Sequence, residues 1–153
     1  MSTITSPRQI ATAAKLVFES SACLSTLTWF DWTPGTVGQI FNRLPCGVVD
    51  FDVGTVAGFE QPHQGVKVTF QPLVVQLFYP ITEADAGGQQ ADSEIWRLWW
   101  CAVNIIYGNR YLNHTVGGCR ILGGAVEGIP LESEETGILV RYAWLSLETW
   151  KVL

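Results

Sequence analysis

The chain has 153 residues, 48% of them hydrophobic and only 15% charged, with a formal net charge of −5. That length suits one domain with a real core. The shortage of charge leaves a surface that is either neutral and polar or covered by partner subunits. The 9 Lys and Arg residues are scattered singly; this excludes a strong nucleic-acid clamp but not a channel through which DNA passes without sticking.

Ser6 and Pro7 read as a helix start, with Ser6 as N-cap and Pro7 at the first helical position. Ile10, Ala13, Ala14, Val17 and Phe18 then recur at helical spacing, and this first helix is predicted to end near Glu19–Ala22. Leu24–Pro34 is either a strand or an aromatic-rich loop, closed by the turn signal Pro34-Gly35. Gln39–Leu44 suggests a short helical turn before Pro45. Cys46–Gly58 alternates Val48, Val49, Phe51, Val53 and Val56 with Asp50, Asp52 and Thr55, the pattern of a strand. Gly65–Ile81 is rich in Val, Phe and Tyr, with Pro72 breaking or bulging it. Thr82–Ala91, with Glu83, Asp85, Gly87 and Gly88, has the composition of a flexible acidic loop.

Asp92-Ser93 is predicted to cap a second helix that ends at Gly108 or Asn109. Ile95, Leu98, Trp99, Ala102, Val103 and Ile106 form its apolar stripe. Trp96, Trp100 and Tyr107 widen that stripe, either as further core or as an exposed edge that packs on a neighbouring subunit. Two Gly-Gly pairs then bracket Cys119-Arg120-Ile121-Leu122. They lack the Gly-Lys-Ser/Thr ending of a P-loop and the spacing of GxGxxG, so turns or bulges around a short strand explain them better. Glu127–Gly137 reads as an acidic, hairpin-like connection. Ile138–Leu153 alternates as a long terminal strand, with both faces covered at first and one face opening to solvent at Ser146, Glu148 and Lys151.

Chemistry-bearing residues are sparse. Asp50 and Asp52 would share one face of a strand, but no third carboxylate or His sits at useful spacing to make a metal or acid/base site. Cys119 and His114 carry no signature of a nucleophile pair. Cys23, Cys46, Cys101 and Cys119 are widely spaced without a CxxC pair, and neither His63 nor His114 has a cysteine beside it. The expectation is therefore free thiols, no metal, no cofactor and no enzymatic activity. The opening Met1–Pro7 is polar, and no apolar run reaches the roughly 18 residues of a membrane span. A reduced, cytoplasmic site of synthesis and no membrane partner are the corresponding expectations.

In this order the elements suggest an α+β fold: a single domain with a mostly antiparallel twisted sheet flanked by two main helices. The order also resembles that of the tail terminator (tail completion) proteins of long-tailed bacteriophages and phage-like particles. The resemblance rests on Val66–Ile81 as a central strand pair, Ile95–Tyr107 as the second helix, the step Leu122-Gly123-Gly124-Ala125-Val126, and Leu139–Leu147 ending as a strand. It implies a virion protein of the tail-neck region, made in the host cytoplasm, with the whole of 1–153 as one domain. Such a protein forms a ring, typically six-fold, on the last ring of the tail tube. It ends tube polymerisation and offers a docking surface to the head connector. Its partners would be itself, the tube protein and the connector proteins, with DNA only passing through the channel.

On that picture the Thr82–Ala91 loop, through Glu83 and Asp85, would contact tube or connector. Arg110 or Arg120 would meet Glu134 or Glu135 of a neighbour, and the Trp96/Trp100 edge would pack between subunits. Another neck or tail-tube role is an alternative. A different class is a small-molecule binding module whose apolar pocket is lined by Trp96, Trp99 and Trp100.

Overall fold

The computed structural model describes residues 8–31, 40–52, 58–60, 66–133 and 136–152. In chain order these form α1 (Arg8–Glu19), β1 (Thr28–Phe30), β2 (Cys46–Phe51), β3 (Gly58–Glu60), β4 (Lys67–Thr69), β5 (Leu73–Ile81), α2 (Gln89–Gly108), β6 (Gly118–Val126), β7 (Leu131–Glu132) and β8 (Leu139–Val152). The fold is α+β, with helices on one face of a single mixed sheet. The Ser6-Pro7 helix start lies outside the described residues.

The 14-residue strand β8 organises the sheet. Along one side it pairs antiparallel with β5 and then β4; along the other it pairs antiparallel with β6 and β7. β2 continues the sheet beyond β5, and β1 adds the one parallel pairing among the described strands, against β2. The covered start and open end expected for the terminal strand are not found: Val140, Ala143, Leu145, Leu147 and Thr149 are buried on one face, the residues between them, Ser146 and Glu148 included, are half-buried along the whole strand, and Leu139 at its start is exposed.

Both helices pack on the face that presents Val49, Leu73, Val75, Leu77, Ala143, Leu145 and Leu147. α1 contributes Ile10, Ala11, Ala14, Val17 and Phe18, and α2 contributes Ala91, Ile95, Leu98, Ala102, Val103 and Ile106. Each aliphatic side chain fully buried there stabilises the fold by about 1.5–3 kcal/mol relative to exposure. A second, smaller cluster on the opposite face joins Ile40, Phe41, Cys46, Val48, Phe78 and Val140.

Glycine has a definite use where strands carry Trp. Gly47 pairs with Trp29 and Gly118 pairs with Trp150. A Cβ on Gly47 would lie 2.5 Å from the Trp29 ring, and one on Gly118 would run into the Trp150 ring. Each ring therefore lies over the neighbouring backbone, a cross-strand aromatic–glycine pairing. Trp29 also stacks on Phe18 at 5.2 Å between centroids and donates its indole N–H to the Leu24 carbonyl at 2.9 Å. This resolves the aromatic stretch after α1 into a short strand anchored in the core.

Several sequence expectations are corrected. Cys46–Gly58 is not one strand: β2 ends at Phe51, and β3 pairs with β4 rather than continuing β2. Pro72 does break its segment, separating β4 from β5. The glycine-flanked segment is a continuous nine-residue strand, β6, with a bulge at Leu122. Helix α2 starts at Gln89, three residues before the expected cap. The reason is Asp85, whose carboxylate accepts the N–H groups of Gln90 and Ala91 at 2.9 Å each. Asp92 lies inside the first turn and pairs with Arg141 of β8 at 2.7 Å. The Thr82–Ala91 loop is thus a defined turn and helix entry rather than a loose excursion.

The free-thiol expectation fails for two cysteines. Cys23 and Cys101 are joined in a disulfide with Cα atoms 6.6 Å apart, linking the turn after α1 to α2 across 78 positions of sequence. Cys46 and Cys119 remain free and buried, and burial pushes both thiols up to about 12.

Candidate functional site

The outer face of α2 is the surface that the fold leaves most unusual. At 3.6 residues per turn, Trp96, Trp100 and Tyr107 fall within roughly 40° of arc, nearly opposite the buried residues Ile95, Leu98 and Ala102. They are 44%, 55% and 59% exposed, and Tyr111, just past the helix, is 55% exposed. Together they make an aromatic strip on the side of the helix layer that faces away from the sheet.

Neighbouring contacts hold the strip in place. Trp99 lies edge-on to Trp96 at 6.1 Å and to Trp100 at 5.4 Å between centroids. Its own indole N–H turns inward and donates to the Trp144 carbonyl at 3.0 Å, close to the β6 bulge. Edge-to-face rings add about 0.5–1.5 kcal/mol beyond their buried area. At the far end, Leu112, Asn113 and His114 take left-handed backbone angles of φ 46°, 55° and 65°. That turn costs backbone energy, offset by burial of Leu112 and by Asn109, whose amide oxygen accepts the Asn113 N–H at 3.1 Å. It sets Tyr111 against His114, ring on ring at 6.5 Å.

Charge next to the strip is neutralised locally. Glu94 and Arg97 form an i, i+3 ion pair at 2.7 Å, which holds the Glu94 carboxyl below its ordinary value and raises that of Arg97. Arg110 lies over the Tyr107 ring, 6.0 Å from its centroid.

The residues singled out from sequence are dispersed. Trp96 and Trp100 are the exposed edge of the strip. Arg110 lies at its end. Glu83 is exposed in the turn leaving β5, whereas Asp85 is occupied in holding the start of α2. Arg120 is engaged within its own chain, with Glu148 at 3.0 Å across the β6–β8 ladder, so its guanidinium already has an acidic partner. Glu134 and Glu135 lie outside the described residues. Asp50 accepts an ion pair from Arg8 at 3.0 Å and a hydrogen bond from the Phe51 N–H at 2.8 Å. Both contacts suit a structural role at the end of β2.

A shallow cleft of about 500 Å³ beside the strip is lined by Cys23, Arg97, Trp100, Cys101, Asn104 and Ile105. On the opposite face, Ile40, Phe41, Gln76, Phe78, Leu131, Glu132 and Tyr142 line a cleft of about 460 Å³. There Gln76 donates to the Tyr142 hydroxyl at 2.9 Å, and burial raises the Tyr142 phenol above its ordinary value. Among the described residues, no three His, Cys, Asp or Glu side chains gather to hold a metal, and no helix is long and apolar enough to cross a membrane.

Sequence reasoning missed Tyr111 and the disulfide beside the strip. Tyr111 falls beyond the helix and so outside its periodicity. Compared with known protein families and with curated proteins, the sequence matches none.

Proposed function

We propose that this chain is a structural assembly subunit: a virion protein that forms a ring at the head-proximal end of a phage tail tube. In that role it ends tube polymerisation and gives the head connector its docking surface. The observation that carries the reading is the aromatic outer face of α2, held rigid by Trp99 and offered to solvent next to neutralised charge. Trp and Tyr displayed in this way are the residues that anchor protein–protein contacts.

Two further features support it. Among the described strands β6 pairs with β8 alone, so its outer edge offers nine residues of backbone to a neighbour. Contacts between an edge and a different surface of the next copy are heterologous, and such contacts close rings. The Cys23–Cys101 disulfide suits a particle that leaves the reducing cytosol. The mechanism needs no covalent chemistry: a closed ring covers the growing end of the tube and presents a different surface on its far side. In this role DNA would only pass: the 9 basic residues are scattered singly along the sequence, and four of them, Arg8, Arg97, Arg120 and Arg141, already hold carboxylates.

Electron microscopy of particles made after deleting this gene from its phage tests the reading. Over-long tails without heads are the expected result. Absent tails would make the protein a tube component, and normal tails beside unjoined, DNA-filled heads would move it to the connector. Intact, infectious virions would overturn the structural role.

A further inference from the structure

We propose that the Cys23–Cys101 disulfide is a thiol-exchange site. A low-molecular-weight thiol enters the cleft over α2 and attacks Cys101 Sγ, with Cys23 as the leaving group. The inference does not rest on the tail reading.

The four cysteines divide by place. Cys46 and Cys119 are buried in strands β2 and β6. Cys23 and Cys101 are half-buried, and both line the cleft of about 500 Å³ beside the aromatic strip. That volume lies within the ~300–1,000 Å³ of small-molecule sites. Access separates an exchangeable disulfide from a sealed structural one, and here the cleft gives a small thiol access without unfolding.

The lining sets which sulfur is attacked. Arg97, Trp100, Asn104 and Ile105 stand four and one residues before Cys101 and three and four after it, so the cleft lies over the Cys101 side of the bond. Cys23 is the one lining residue from outside α2. A thiolate approaching over α2 therefore meets Cys101 Sγ, with Cys23 Sγ beyond it. Arg97 brings positive charge to this cleft. Its Nε and Nη2 hold Glu94, yet half of the side chain stays exposed, and a nearby guanidinium favours a thiolate.

The departing sulfur also has a partner. The Ser21 hydroxyl lies 3.4 Å from Cys23 Sγ. A disulfide sulfur has no proton to give, so Ser21 is the donor. The same hydrogen bond stabilises the Cys23 thiolate as it leaves, and a better-stabilised thiolate leaves faster. In the first step the thiol's sulfur bonds to Cys101 Sγ, the Cys23–Cys101 bond breaks, and its electron pair goes to Cys23. In the second, another thiolate attacks the small thiol's sulfur, which releases Cys101 as thiolate and a small-molecule disulfide. Two small thiols are oxidised and one protein disulfide is reduced.

The fold outlasts the bond. Leu24 and Leu27 remain buried, and Trp29 still ties the turn through the Leu24 carbonyl. Helix α1 packs chiefly on β2, and α2 on β5, β8 and β6. The disulfide is thus a reversible tie between helices seated on different parts of the sheet, open where small thiols are plentiful and closed where they are not.

The oxidised full chain, treated with reduced glutathione near neutral pH, quenched with N-ethylmaleimide and mapped by mass spectrometry, tests this. Glutathione is expected on Cys101 and maleimide on Cys23, with Cys46 and Cys119 unlabelled and the circular dichroism spectrum unchanged. Ser21→Ala is expected to slow the reduction about three- to tenfold, and Ser21→Thr to restore it. Cys23→Ser, which cannot re-close the bond, is expected to hold glutathione on Cys101 when given the oxidised form. Reduction that needs urea, or that keeps pace with labelling of Cys46 and Cys119, means that the bond opens only on unfolding and overturns the proposal. Glutathione on Cys23 as often as on Cys101, or an unaltered rate in Ser21→Ala, overturns the direction of attack.

Discussion

The two faces of α2 carry side chains of similar apolarity to opposite ends. Facing the sheet, Ile95, Leu98, Ala102 and Ile106 are almost wholly buried, and none carries a side-chain polar atom. Facing outward, Trp96, Trp100 and Tyr107 are about half exposed, and each ends in an N–H or O–H that water can satisfy. Aliphatic side chains make a core because they fill space without needing a partner. Amphipathic rings can wait in water and still anchor a contact later. On the proposed reading, stability and association fall to different residues of one helix, and mutation should separate them.

The largest effect should come from the inner face. Leu98→Ala is expected to lower folding stability by about 2–5 kcal/mol, since a buried leucine leaves both lost transfer energy and a cavity. Urea denaturation reads it, and a loss below about 1 kcal/mol would mean that this face is loosely packed.

Reducing the Cys23–Cys101 disulfide should cost about 2–4 kcal/mol, because the bond closes a long loop in the unfolded chain. Comparing denaturation midpoints with and without reductant measures this. Alkylation of the reduced but folded protein at mildly alkaline pH should mark Cys23 and Cys101 first. Cys46 and Cys119, buried and with thiols pushed up to about 12, should react only on unfolding. Equal reaction of all four would contradict the placement of the disulfide beside the outer face.

Asp85→Ala should cost about 1 kcal/mol by leaving the first N–H groups of α2 without their acceptor. Loss of tube or connector binding with stability unchanged would instead return Asp85 to an interface role. Trp100→Ser should lower folding stability by about 0.5–1.5 kcal/mol, the size of its edge contact with Trp99 and well below the effect of Leu98→Ala. A large destabilisation there would erase the contrast between the two faces.

Much of this architecture was legible in the residues. Period-3.6 spacing over Ile10–Phe18 and Ile95–Ile106 marked both helices, and alternation from Leu139 onward marked β8, because these patterns reflect local geometry. The acidic, glycine-rich stretch concealed the true start of α2. Its capping carboxylate stands five residues before the first N–H it accepts, outside the usual cap spacing. Of the candidate site residues, Trp96 and Trp100 were visible as an excess of aromatics on one helix. Whether they were core or surface could not be told, since periodicity gives a direction on the helix and not what lies in that direction.

The sequence by itself determined the class of fold, the two helices and the central strands, since each depends on side chains a few positions apart. Tertiary structure alone decided the rest. It joined Cys23 to Cys101, gave Arg120 to Glu148 instead of leaving it for a neighbour, and turned Trp99 inward while leaving Trp96 and Trp100 outside. These outcomes depend on residues far apart in sequence that meet only when the sheet forms around β8.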